Sequence, residues 1–453
     1  MSAPVGKALD LKAVARKRVR MLATDFSFLD QHFPATYPRM IVRAEGAYVY
    51  DDTGLEILDT GLHWGANMVG HGRADVADAM ADQAKQLEFA TLYMGVSHAP
   101  VAELAERLAP LVPVDDPTFF FVSSGSEANE LAFRIARAYH MTRGEPKRVK
   151  ILSRAGGYHG SSLAAVTATG MPVFHDRLGV AAPAHIYTAQ PSPGRCGFCS
   201  PDSGCNLGCA ADVERTIVRE DPATMAAFIA EPVGIQQAVK VPHADYWRVV
   251  AEICRKYGVL LIADEVISGF GRTGKFFASE HWELKPDILT IAKGITSGYV
   301  PMAATVVAPE IDELVVRNPL IHANTWAGHP VACAAALACL DITERENLIA
   351  DTARKGALVD DRLNVLCKEN QRVVRTAVTG LLASIEYSLP GDDGGRLAAQ
   401  RVRHECYERG LFVRVGVSEQ NVGFTTYYPP LVIDDAEIDR SVEILAEVLT
   451  NLE

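Results

Sequence analysis

Short apolar runs recur along the first two thirds of the chain, separated by stretches whose apolar positions fall at helical spacing. The runs cover residues 119–122, 149–152, 226–230, 259–263, 288–291 and 303–307. Each is continuous rather than alternating, which is the pattern of strands buried on both faces. Between them, residues 128–140 and 246–257 read as amphipathic helices. Such repetition predicts an α/β fold: a large domain with a mostly parallel central sheet sandwiched by helices.

From about Ala332 the pattern changes. A long Ala-rich helix comes first, then strand-like residues 381–387 and 411–415, then helix-like residues 437–449. This predicts a smaller α+β domain, and GDDGG at 391–395 reads as an exposed turn. The expected division is an N-terminal segment over 1–75 belonging with the small domain, a large domain over 76–331 and a C-terminal small domain over 332–453.

Composition narrows the function classes. The chain has 453 residues, 48% apolar and 22% charged, with a net charge of -12. Length and apolar content suffice for a large core. The acidic balance argues against nucleic acid or an anionic membrane as partner. The first twenty residues are basic but lack the apolar stretch of a secretory signal, and no run approaches a membrane span. Nine cysteines in a chain of this size fit a reducing compartment, so the expectation is a cytoplasmic protein.

Two motifs point elsewhere. Gly269, Gly271 and Gly274 spell G-x-G-x-x-G, a dinucleotide fingerprint when it links a strand directly to a helix. Here the strand is first followed by Asp264 and Glu265, and the glycines run into aromatic residues, so a tight surface loop is the better reading. Cys196, Cys199, Cys205 and Cys209 could supply four thiolates to zinc. Their spacing is not that of a standard finger or ribbon, and an inserted loop with free thiols is the default.

The chemistry gathers at strand ends. Residues 260–263 form an apolar run that ends in Asp264 and Glu265; residues 288–292 form another that ends in Lys293. Carboxyl ends of parallel strands are where open α/β sheets bind ligands. A third strand-like run leads through Ser123, Ser124, Gly125 and Ser126 into a helix, with Ser124 and Glu127 at capping-box spacing. A helix N-terminus of that kind binds phosphate. Tyr158, His159 and Gly160 add an aromatic ring in a glycine-rich loop. Each feature alone is an ordinary strand end, helix cap or loop. Together, a phosphate site, an acid, a lysine and a flat ring are what pyridoxal 5'-phosphate (PLP) requires.

These residues resemble the class III (ω-amino acid) aminotransferases of PLP fold type I. The resemblance runs from about Ile41 to Val432. It is carried by RAEGAYVYDDTGLEILD, SGSEANELAFRIAR, GYHGSSLAAVTATG, IAEPV, LLIADEVISGFGRTGKFFASEH, PDILTIAKGITSGYVP and NTWAGHPVACAAAL, in that order. It implies that Lys293 is the Schiff-base lysine and Asp264 the partner of the pyridinium nitrogen. Gly125 and Ser126 would form the phosphate cup, with Tyr158 and Val266 on the two ring faces. Thr325 would reach the phosphate of a neighbouring subunit, implying a homodimer with shared sites, or a tetramer built from it. Arg414 would grip a substrate carboxylate, Glu231 would neutralise that arginine when no carboxylate is bound, and Trp64 falls near the substrate pocket. Ile267 departs from the family's common Gln, as do GYHGSS, the cysteine-rich insert and residues 415–428.

The implied activity is ping-pong transfer of an amino group from an ω-amino acid or amine to a 2-oxo acid such as pyruvate or 2-oxoglutarate. Three other readings stand beside it. One is a PLP-dependent ammonia- or phospho-lyase, epimerase or aminomutase on the same scaffold. The others are a nucleotide-binding oxidoreductase using the glycine cluster, and a non-catalytic PLP-binding regulator.

Overall fold

The structure, a computed structural model, describes residues 10–19, 29, 31–33, 37–176, 178–192, 196–199, 205–317, 320, 322–389, 395–418 and 422–452. Fifteen strands among these residues build three sheets. In chain order they are β1 (Ile41–Glu45), β2 (Tyr48–Asp51), β3 (Glu56–Asp59), β4 (Thr118–Val122), β5 (Lys150–Arg154), β6 (His185–Thr188), β7 (Met225–Ala230), β8 (Leu260–Asp264), β9 (Ile288–Ile291), β10 (Ala303–Val307), β11 (Val373–Thr379), β12 (Leu382–Tyr387), β13 (Leu411–Phe412), β14 (Arg414–Val417) and β15 (Gly423–Tyr427).

The central sheet has seven strands in the order β4-β10-β9-β8-β7-β5-β6. Neighbours from β9 through β6 are parallel, whereas β10 runs antiparallel to both β4 and β9. All six apolar runs lie in it, and β7, β8, β9 and β10 are buried at every position. That follows from helices on both faces. The helix Gly125–Thr142 covers one with Leu131, Ala132, Ile135 and Ala136. The helix Tyr246–Tyr257 covers the other with Trp247, Val250 and Cys254. It stops at Gly258, whose φ of +63° is the left-handed geometry of a helix C-terminus.

The tail forms a second sheet, β11-β12-β15-β14, wholly antiparallel. Helices Leu348–Glu369, Arg396–Glu408 and Asp435–Asn451 pack around it. The 411–415 run is broken at Val413 into β13 and β14, which serve different sheets. β13 runs parallel to β3, pairing Leu411 with Leu58, and so completes the small sheet β1-β2-β3-β13. Of the 391–395 turn only Gly395 lies within the described residues.

The glycine cluster is no surface loop. Gly269, Phe270, Gly271, Arg272 and Thr273 are buried between the central sheet and the tail. Arg272 donates to the carbonyls of Asn67 (2.8 Å), Leu381 (3.2 Å) and Pro429. Burial of its charge pulls the guanidinium down to about 9. The glycines are there for space: a Cβ on Gly271 would meet Ile349 at 2.5 Å, and one on Gly269 the Glu265 carbonyl at 2.9 Å. No α-helix opens from this loop, only the short 3-10 turn Ala278–Trp282, so it lacks the strand-to-helix geometry of a dinucleotide site.

Candidate active site

The carboxyl ends of β8 and β9 open into a cavity of about 370 Å³, within the roughly 300–1,000 Å³ of small-molecule sites. Lys293 and Asp264 both line it. The Lys293 amine is buried, and that desolvation pulls it down to about 8. The charges of Asp264 and Glu231 oppose the fall, whereas Arg414 adds to it. Lys293 adopts φ +48° at the start of the short turn Lys293–Thr296. For a side chain of this size such a conformation costs about 1–3 kcal/mol, and strain of that kind gathers at functional sites.

Asp264 is fixed by a network drawn from four elements. Asn129 Nδ2 donates to its Oδ2 at 2.9 Å, His159 Nδ1 donates to the same oxygen at 2.8 Å, and the Val266 amide donates to Oδ1 at 3.1 Å. Asn129 in turn donates to the His159 carbonyl at 2.7 Å and accepts from Thr290 Oγ1 at 2.9 Å. The carboxylate is thereby oriented, and at 3% exposure it is shielded from water. Glu265 is not among the cavity's lining residues. It accepts from Ser268, Ala278 and both the amide and hydroxyl of Ser279, which makes it a fastener for the following turn.

The phosphate candidates lie at the start of the helix Gly125–Thr142, where Ser124 Oγ accepts from the Glu127 amide. Gly125 and Ser126 line the cavity. Ser126 Oγ accepts from the Ser161 amide at 3.1 Å, tying the helix to the loop that carries Tyr158. A Cβ on Gly125 would meet both γ-methyls of Val266 at 3.0 Å, so glycine lets the helix start approach the Val266 side of the cavity. Gly160, at φ +130°, has no room for a Cβ either: it would lie 2.4 Å from Ser126 Oγ. Tyr158 and Val266 both line the cavity, as does Ile267. Burial raises the Tyr158 phenol, keeping it neutral.

These residues fit PLP. A desolvated lysine, a fixed carboxylate, a helix N-terminus and two apolar or aromatic side chains border one cavity of suitable size.

The arginine end differs in detail from the sequence expectation. Arg414 Nη2 donates to Gln236 Oε1 at 2.8 Å and Nη1 to Thr426 Oγ1 at 3.0 Å. Its guanidinium lies 4.7 Å from the centre of the half-exposed Trp64 ring. Glu231 instead faces the buried Arg154, at 3.4 Å, and accepts from the Tyr158 amide at 3.2 Å. Gln236 therefore stands where Glu231 was expected, as the direct partner of Arg414. Thr325 does not line the cavity; it is exposed beside Asn324, whose amide donates to Glu127.

Cys196 and Cys199 bring their sulfurs to 3.1 Å, but among the described residues no three His, Cys, Asp or Glu side chains form a group able to hold a metal ion. Also among the described residues, no helix is long and apolar enough to cross a membrane.

The family model described as Aminotransferase class-III matches residues 32–449. The putrescine–pyruvate aminotransferase of Pseudomonas aeruginosa is 37% identical, over 91% of this chain and 90% of its own length. A thermostable (S)-enantioselective ω-transaminase from Thermomicrobium roseum superposes with a TM-score of 0.87 at 36% identity, covering 99% of each chain. The ω-transaminase of Pseudomonas jessenii, solved in complex with PMP, gives 0.90 at 30% identity over 98% of each chain.

Proposed function

This chain belongs to the class-III aminotransferase family, and on that premise we propose that Lys293 and Asp264 are its catalytic pair. PLP is the cofactor and transamination the reaction. When bound, PLP supplies an aldehyde carbon that takes the amine and a ring that accepts the electron pair left by the departing proton. The observation that carries the assignment is that a buried lysine and a buried, triply hydrogen-bonded carboxylate border one cavity.

Each remaining role belongs to a side chain described above. Lys293 Nζ, with its proton loosened by desolvation, takes the proton from the amine-bearing carbon and later returns one. Asp264 would keep the ring nitrogen protonated, with His159 and Asn129 holding Asp264 in place. Gly125 and Ser126 would hold the phosphate, and Tyr158 and Val266 would confine the ring.

The donor is an amine or ω-amino acid and the acceptor a 2-oxo acid such as pyruvate. Support comes from the named substrates of the Pseudomonas aeruginosa relative and from Arg414, a guanidinium whose charge acts on Lys293 and which a carboxylate could engage. Its partner Gln236 is neutral, so an incoming carboxylate displaces a dipole and not a charge. The relatives described above are all transaminases, which gives lyase or epimerase chemistry no support.

We also propose a homodimer in which Thr325 completes the neighbouring site. Thr325 is exposed next to Trp326, which is 57% exposed and stacks edge-on with Phe89 at 5.7 Å. An apolar surface of this kind fits an interface between copies. A cytoplasmic location is proposed as well, on the odd count of nine cysteines in a chain of this size.

The test is a donor panel of putrescine, β-alanine and a simple aryl amine with pyruvate. Alanine must form in step with donor loss, and Lys293→Ala must abolish both turnover and the visible absorbance of the bound cofactor. Retained turnover in Lys293→Ala overturns the assignment.

A further inference from the structure

The cysteine-rich insert holds a pair of sulfurs that the transamination site does not use. Cys196 Sγ donates to Cys199 Sγ at 3.1 Å. The contact is made by the backbone: residues 196–199 form a turn in which the Cys199 amide donates to the Cys196 carbonyl at 3.1 Å, folding the two side chains onto each other. Asn206 fastens the turn from outside, donating to the Phe198 carbonyl at 2.7 Å and accepting from the Gly208 amide at 2.9 Å.

The two thiols are not equivalent. Cys196 is buried, at 8% exposure, against the cluster that contains Trp247 and Tyr246. Cys199 is partly exposed. The bond from Cys196 and the Asn206 backbone hold the Cys199 thiol below its ordinary value. Other cysteines go the opposite way: burial pushes Cys209, Cys333 and Cys339 up to about 12. An accessible, acidified sulfur touching a shielded one is the arrangement of an attacking and a resolving thiol. A disulfide needs about 2.05 Å between sulfurs, so bond formation closes the gap by about 1 Å within one turn.

We propose that Cys196 and Cys199 form a thiol–disulfide exchange site that reacts with low-molecular-weight disulfides. The Cys199 thiolate attacks one sulfur of the small disulfide; that S–S bond breaks and one thiolate leaves. Cys196 then loses its proton to solvent and attacks Cys199 Sγ, expelling the second thiolate. Two protein thiols are oxidised by two electrons, and one small disulfide is reduced to two thiols. Neither cysteine lines the cofactor cavity, so the reaction is measurable independently of turnover.

The experiment treats the holoenzyme with oxidised glutathione, blocks the remaining thiols with N-ethylmaleimide, and maps the digest by mass spectrometry. The expected result is a peptide carrying Cys196 and Cys199 that is lighter by two hydrogens, unlabelled, and restored by dithiothreitol. In Cys196→Ser the reaction stops one step earlier, leaving glutathione on Cys199. In Cys199→Ser, Cys196 is neither oxidised nor glutathionylated. Wild-type protein in which both cysteines stay fully labelled overturns the proposal. So does a bond joining Cys199 to Cys205 or Cys209, or one zinc per chain released from the untreated holoenzyme as these thiols are modified.

Discussion

The buried Lys293 amine makes a quantitative prediction about the cofactor-free protein. An unfolded lysine holds its proton up to pH 10.5, whereas the folded protein holds this one only to about 8. At about 1.36 kcal/mol per pH unit, that difference is worth about 3 kcal/mol. Between the two values the unfolded chain binds the extra proton, so stability rises with pH across that window. Below pH 8 both states are protonated, and the full cost of burying an ammonium is present. Methionine has a similar length and no charge, so Lys293→Met removes the titration. At pH 7 the variant should gain about 3 kcal/mol relative to wild type from this source, and by pH 10 under about 1 kcal/mol. The assay is denaturant unfolding of both cofactor-free proteins at pH 7, 8.5 and 10. The pH dependence of the difference is the readout, because changes in packing are the same at every pH. A difference that stays constant with pH, or widens toward pH 10, refutes the argument.

Other outcomes follow from the same geometry. Asp264→Asn should lower the rate of the amine half-reaction by about 10²–10⁴-fold, measured by single-turnover absorbance, because ring-nitrogen protonation is no longer enforced. Gln236→Glu places a carboxylate against Arg414; a charged hydrogen bond worth about 1.5–3 kcal/mol must then be displaced, so KM for pyruvate should rise about tenfold or more. A donor amine without a carboxylate should show no such change in steady-state kinetics. Gly160→Ala should weaken cofactor binding in an equilibrium titration, since its Cβ would lie 2.4 Å from Ser126 Oγ and its φ of +130° disfavours any side chain.

Much of this site was legible because its parts lie where apolar runs end. Asp264 and Lys293 are polar residues at the boundaries of buried strands, and Ser124 is a cap whose spacing announces a helix. The direction of β10 was not legible: a run buried on both faces reads the same whether parallel or antiparallel. Nor were β6, β11 and β15 foreseen, being short or of mixed polarity. Asn129 was missed although it carries a signal, a polar residue at helical spacing with the apolar Ala132, Phe133 and Ala136. His159 stood in the quoted loop without a role, because only the fold brings it to Asp264. Gln236 gave no local sign; its meeting with Arg414 joins segments far apart in the chain. The glycine cluster misled because its composition suits an exposed turn, whereas the fold buries it and Arg272 within it donates to carbonyls of three separate segments.

The parallel pairing of β13 with β3 has a consequence for how the chain is made. Strands β1 to β3 leave the ribosome early, and β13 follows only after the whole central sheet has been synthesised. Until then the hydrogen-bonding edge of β3 has no mate, and Ile57 and Leu58, fully covered in the finished molecule, lack part of their cover. Nascent chains are therefore open to mispairing at this early hairpin, the first sheet begun and among the last to be closed.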